Sequence, residues 1–184
     1  FDENAATPLL KAASAITGIV GLVLLTRLTM FMADPSKVSC SVIPSSQWEV
    51  NHSCLSAYHI AAETVGTANV YESTLYSAPD NGNGPRTARK LGTFNVDVFE
   101  YPPQFLLLPK AFHLITTDFL DLRLLWFAFC GGVLLTGIIV IANQLGPTAG
   151  TRALMLSPLI WISVPATLST LQKGNIQVVI IAGA

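Results

Sequence analysis

Phe99-Glu100-Tyr101-Pro102-Pro103, continued by Gln104-Phe105-Leu106-Leu107-Leu108-Pro109, divides this chain into a polar part and an apolar part. Residues 33–100 are polar and rich in turn formers, whereas the chain after Pro109 is almost continuously apolar to Ala184. The two prolines fix their own φ and push the preceding residues toward extended backbone. Their missing N–H groups cost little in the first turn of a helix. Tyr-Pro-Pro therefore reads as a rigid entry from an aqueous loop into a membrane helix, with Tyr101 at the interface.

Composition agrees with a membrane location. Of 184 residues, 51% are hydrophobic and 11% are charged, against about 25% charged in an ordinary soluble domain. The net charge of −1 carries no electrostatic footprint for nucleic acid. The chain begins with Phe1, and the apolar run over residues 176–184 is too short to span, since a crossing needs about 20 residues. A piece of a longer polytopic protein is expected, with a small complete subunit as the competing reading.

Working outward from the junction, residues 1–8 form an N-terminal tail and residues 9–32 a first transmembrane helix. Lys11 and Arg27 near its ends can snorkel. A signal peptide competes with this reading, but the apolar core is long and no clear small-residue cleavage site follows. Residues 33–100 form a large loop, placed on the extracytoplasmic side. Within it, residues 53–66 read as a short amphipathic helix, with Leu55, Tyr58 and Ala62 on one face, suited to lie along the membrane surface. Phe94, Val96 and Val98 alternate with polar residues and suit an extended segment. Residues 101–184 carry the remaining helices: an apolar segment over 101–117, short and polar for a lipid-facing span and so expected beside other helices, a clear span over 124–142, one over 152–171 bent by Pro158 and Pro165, and the start of another at Ile176. The fold class is all-α: a polytopic transmembrane helix bundle of four to five spans with a large extracytoplasmic loop. No Asp or Glu lies within the firm spans, which argues against an ion transporter.

Cys40 and Cys54 lie in the loop and Cys130 in an apolar run. In an oxidising compartment the loop pair suits a disulfide; two free thiols fit equally. Their spacing, with His52 and His59, matches no zinc motif, so no metal ligands are assigned.

The order of short motifs resembles the N-terminal part of the GT-C integral membrane glycosyltransferases. The most similar group is glycosyltransferase family 87, the polyprenyl-phosphate-mannose-dependent mannosyltransferases. The motifs are Tyr58-His59-Ile60-Ala61-Ala62, Asn69-Val70-Tyr71, Tyr101-Pro102-Pro103 and Gly174-Asn175-Ile176-Gln177. The chain departs from the family pattern at Cys54, one helical turn before Tyr58, where the family has an aspartate. Its last motif also exchanges the positions of Gln and Asn, two amides of similar hydrogen-bonding capacity.

The resemblance implies transfer of a sugar, mannose by family, from a polyprenyl-phosphate donor to an extracytoplasmic acceptor. Such chemistry needs a carboxylate to take the acceptor's proton and cations or helix N–H groups to steady the phosphate leaving group. Among Glu49, Glu63, Glu72, Asp97 and Glu100, the catalytic role is assigned to Glu49, Glu63 and Glu100. Substrate binding is assigned to His52, His59, Tyr58, Arg86, Tyr101, Asn175 and Gln177. Each carboxylate also fits a solvated surface charge, and Trp48 fits either sugar stacking or the interfacial aromatic belt. The cofactor expectation is the lipid-linked donor, with a divalent metal compatible. Expected partners are membrane lipid and that donor. The alternative is a non-catalytic or degenerate subunit packing against a larger membrane protein complex.

Overall fold

A computed structural model describes residues 7–78 and 87–183. The chain is mostly helical. Two helices, α1 (Pro8–Ala33) and α5 (Phe119–Gln144), are long and apolar enough to cross a membrane. Each has 26 residues, about 39 Å at 1.5 Å per residue, against a hydrocarbon core of about 30 Å.

Local chemistry sets their ends. The Thr7 hydroxyl accepts the Leu10 N–H at 3.3 Å and Pro8 opens α1. Pro35 stops it, and the Asp34 carboxylate accepts the Ser36 N–H in the turn beyond. Asp118 caps α5 by accepting the Leu120 and Asp121 N–H groups at 2.9 and 3.0 Å. Along α1, Leu9, Ile16, Ile19, Leu22 and Val23 are exposed, as are Leu135, Ile139 and Ile141 along α5. Apolar surface of that extent is unusual in water and ordinary against lipid.

The C-terminal end of α1 meets the N-terminal end of α5, where Arg123 Nη1 donates to the Met32 carbonyl at 3.3 Å. The chain thus arrives at one end of the molecule on α1 and leaves it on α5. The described residues between them, 34–78 and 87–118, are folded at that end.

The expected span over 152–171 is broken. It comprises α6 (Pro147–Leu156), α7 (Pro158–Trp161), a π-helical turn (Val164–Leu168) and α8 (Ser169–Lys173). Pro158 and the segment beginning at Val164 interrupt the i→i−4 ladder, as prolines inside a helix do. α6 lies hard against α5: a Cβ at Gly150 would stand 2.1 Å from the Ala142 carbonyl oxygen. Gly174 closes α8 in the left-handed conformation. α9 (Gln177–Gly183) then packs along α5.

Three expectations are corrected. The fold is not purely α, because the loop builds a small sheet of β1 (His52–Ser53), β2 (Lys90–Leu91) and β3 (Phe94–Val96), in the order β1-β3-β2. β1 runs parallel to β3, with His52 opposite Asn95 and Ser53 opposite Val96. β2 and β3 form a hairpin whose turn contains Gly92 at positive φ.

Residues 101–117 do not form a span either. Pro103–Leu106 is a 3-10 turn that runs into α4 (Leu107–His113), seven residues long. Lys110, though exposed, donates to the Ala62 carbonyl at 3.1 Å, which ties this apolar stretch to the short helix of the loop.

The short helix α3 (Leu55–Thr64) is not amphipathic. Its residues from Leu55 to Ala62 are all buried, enclosed by α4, α5 and β3. α2 (Gln47–Asn51) precedes β1. Tyr58 on α3 lies at the centre of an aromatic cluster with Tyr101, Phe105 and Trp126, at ring separations of 5.1, 4.8 and 5.5 Å. Trp126 joins this cluster to the end of α8 by donating to the Gly174 carbonyl at 2.9 Å. Cys40 and Cys54 are free thiols.

Candidate functional site

The polar side chains of the loop gather at two places, one at each end of α3. The first lies where α2 and β1 meet β3 and α8. The parallel pairing of β1 with β3 sets residues 52–54 beside residues 95–97. The Ser56 hydroxyl accepts the Asp97 N–H at 2.9 Å and fixes the end of β3 against α3. In consequence the His52 Nε2 stands 3.6 Å from Asp97 Oδ2 and 3.6 Å from Cys54 Sγ.

The His52 ring stacks on Trp48 at 4.0 Å between centroids. Cys54 is buried, His52 is half-buried, and the Asp97 side chain retains 40% of its exposure. The cluster thus opens to the outside through Asp97. Burial lowers the His52 pKa, with the Asp97 charge working against it, so the imidazole is neutral at pH 7. Burial, reinforced by Asp97, pushes the Cys54 thiol up to about 12.

Glu49 borders this cluster but is fully engaged. Its carboxylate takes Lys173 Nζ at 2.9 Å and accepts the Ser169 hydroxyl at 3.0 Å. Its carbonyl accepts from Gln172 Nε2, whose own Oε1 accepts the Val42 N–H at 2.8 Å. Lys173 also faces the Trp48 ring at 6.0 Å. This buried network ties α2 and the segment before it to α8. It leaves Glu49 poorly placed as a free base.

The second cluster lies toward the C-terminal end of α3. His59 Nδ1 is 3.2 Å from His113 Nε2, and His59 Nε2 is 3.5 Å from Glu63 Oε1. Burial lowers the pKa of both histidines. Glu63 is thereby a partner of His59 and half-exposed.

The remaining assigned residues fall outside both clusters. Glu100 is exposed. The Tyr58 hydroxyl is buried with no hydrogen-bond partner among the described residues, and burial raises its pKa well above the usual range. Tyr101 packs on Tyr58, and its carbonyl accepts the Tyr71 hydroxyl at 2.8 Å. Asn175 Oδ1 accepts the Gln177 N–H at 3.0 Å, which caps α9 and leaves the Gln177 side chain exposed. Arg86 lies outside the described residues.

Of the assigned residues, then, the fold brings His52 and Glu49 together, pairs His59 with Glu63, and leaves Glu100, Asn175 and Gln177 apart. Sequence reasoning did not find Asp97, Lys173, Ser169 or His113 as partners. His52-x-Cys54 was a local signal, because alternate residues of an extended segment point the same way. Asp97 had no such signal, since only the β1–β3 pairing brings it there. Arg123 was also missed as a core residue. Its buried guanidinium lies 4.3 Å from the centroid of Phe94 and 5.2 Å from that of Phe31, with no carboxylate partner among the described residues, and pins α1 and α5 to the sheet.

Comparison with protein-family models, curated proteins and solved structures finds no match for this chain.

Proposed function

We propose that the chain belongs to a GT-C-type membrane glycosyltransferase that moves a sugar from a polyprenyl phosphate to an acceptor hydroxyl outside the cytoplasm. The observation that carries this reading is the position of Asp97. The family pattern expects a carboxylate at position 54, where this chain has cysteine. Asp97 stands beside Cys54 and His52, so the missing charge is supplied across the sheet.

In this reading α1 and α5 cross the bilayer, the proline-broken stretch from α6 to α8 returns through it, and α9 opens a fourth passage. The loop then caps the bundle on the extracytoplasmic side. Leu107, Leu114 and Ile115, all exposed, rest at the lipid boundary, where the donor's polyprenyl chain lies.

Asp97 takes the proton from the acceptor hydroxyl. The acceptor oxygen attacks the anomeric carbon, the bond from that carbon to the phosphate oxygen breaks, and the polyprenyl phosphate leaves with inversion. His52 orients the carboxylate. Lys173, already charged-paired with Glu49, adds positive potential on the leaving-group side. A positioned general base contributes about 10²–10⁴ in rate.

The second reading is a non-catalytic subunit packing against a larger membrane protein complex. It is favoured by the engagement of Glu49 with Lys173 and Ser169 and by the burial of Tyr58 and His59.

The test is transfer from radiolabelled polyprenyl-phosphate-mannose by the full-length protein in membranes. Asp97→Asn is expected to lower turnover by about 10²-fold or more. Glu49→Gln removes the carboxylate charge that holds Lys173, and is expected to lower the unfolding temperature with a smaller loss of turnover per folded molecule. Full activity in Asp97→Asn contradicts the assignment of the base. Absence of transfer by the folded wild-type chain favours the subunit reading.

A further inference from the structure

The cluster at the β1–β3 junction contains three different donor atoms facing one point. We propose that His52, Cys54 and Asp97 form a binding site for one divalent transition-metal ion of the Zn²⁺ class, with a fourth coordination position open toward the outside. This goes beyond the transferase reading and holds whether or not the chain transfers sugar.

The geometry comes first. Zinc bonds of about 2.3 Å to sulfur and about 2.0 Å to nitrogen, at tetrahedral angles, place those two atoms about 3.5 Å apart. Cys54 Sγ and His52 Nε2 are 3.6 Å apart, and His52 Nε2 and Asp97 Oδ2 are also 3.6 Å apart. All three donor atoms lie within 4.8 Å of one another. A small inward shift of three side chains completes three tetrahedral contacts.

The donor set fits the same class of metal. Thiolate with imidazole selects zinc-like ions over Mg²⁺ and Ca²⁺, which take oxygen ligands. One thiolate, one carboxylate and a neutral imidazole sum to −2 and balance the ion. The cation that would oppose binding, Lys173, is held by Glu49 at 2.9 Å. The backbone is already fixed: β1 and β3 hold His52 and Asn95 in register, and Ser56 anchors Asp97. The stack on Trp48 fixes the imidazole plane, as supporting contacts do in metal sites. The open side at Asp97 is the arrangement of three protein ligands plus one exchangeable position. Metal ligation and general-base use of Asp97 exclude each other, so bound Zn²⁺ is expected to inhibit any transfer that uses Asp97 as base.

The experiment is a Co²⁺ titration of the full chain in detergent, in a Cys40→Ser, Cys130→Ser background, read by absorption. One Co²⁺ per chain is expected, with a thiolate-to-cobalt charge-transfer band in the near ultraviolet that Zn²⁺ bleaches. Cys54→Ser abolishes that band. Asp97→Asn, an isosteric change that leaves the fold intact, weakens binding about 10-fold or more, and His52→Ala does the same. A folded background chain that gives no charge-transfer band overturns the proposal. So does a band that survives Cys54→Ser, or an affinity unchanged by Asp97→Asn. The readout is metal binding, so these outcomes are independent of the transfer assay.

Discussion

Asp97 owes its place to a partner far away in sequence. Nothing around Phe94-Asn95-Val96-Asp97 marks it apart from any carboxylate at the end of an extended segment. The β1–β3 register makes it a neighbour of His52 and Cys54, and a register between strands of two and three residues leaves no periodic trace in the sequence. Glu49 shows the converse. It was legible as an acidic residue near the expected position, but its engagement by Lys173 and Ser169 depends on α8, which lies at the other end of the chain.

The histidine pair gives a prediction at this scale. Burial depresses the pKa of His59 and His113, so the unfolded chain, with values of about 6.5, binds more protons than the folded one. Stability from this pair is therefore present above that pH and is lost as the pH falls through the lower folded values. Glu63 and Asp118 favour the charged form of His59 and Arg89 opposes it. Lys110 opposes the charge on His113, with Glu63 favouring it. The protection of α3 and α4 amides, measured as exchange relative to the intrinsic rate at each pH, is expected to fall between pH 7 and pH 5, and a His113→Gln chain is expected to lose most of that dependence. An identical pH profile in the two chains contradicts the assignment.

At the scale of elements, the two long helices were legible because 26-residue apolar stretches with polar ends admit few alternatives. The stretch after Tyr101-Pro102-Pro103 was misread because its composition matches a short span. Its Lys110 and His113, however, point to α3, and a chain committed to packing on a neighbour has no length left to cross a bilayer. Helix α3 was misread for a related reason. Leu55, Tyr58 and Ala62 share one face on a helical wheel, but the small residues Ala57, Ala61 and Ala62 also let partners approach from every side, and the polar Ser56 and His59 are buried because they find partners. Ser56 finds the Ser53 carbonyl and the Asp97 N–H, and His59 finds His113.

The contact of α6 with α5 depends on one glycine. A methyl group at position 150 would meet the Ala142 carbonyl at 2.1 Å, and backbone cannot yield as a side chain can. Gly150→Ala is expected to lower stability by about 1–3 kcal/mol and to shift thermal unfolding downward. Gly131→Ala, where the added Cβ meets nothing within 4 Å, is the control and is expected to change little. Equal unfolding temperatures for the two variants contradict the close packing of α5 on α6.

For the whole molecule, Tyr101-Pro102-Pro103 is not the entry to a membrane helix, since a 3-10 turn and the short α4 follow it. The described residues of the polar segment fold into short helices and a three-stranded sheet. This segment draws in part of the apolar half through α4, α8 and the start of α5, so the boundary between cap and bundle does not follow the sequence boundary. Hydropathy reads which segments avoid water. It does not distinguish lipid from protein as the place they go. The small sheet is the least legible feature, yet it assembles the His52–Cys54–Asp97 cluster on which both the transferase reading and the metal site depend.

That assembly can be measured without any activity. In a Cys40→Ser, Cys130→Ser chain carrying Asp97→Cys, mild oxidation in membranes followed by peptide mass spectrometry reports whether positions 54 and 97 join. A disulfide between Cys54 and the new cysteine is the expected result, formed in most molecules and faster than in the same chain denatured before oxidation, where the two thiols meet only by random loop closure. Recovery of both thiols free from folded, oxidised protein contradicts the β1–β3 pairing, and with it the candidate site.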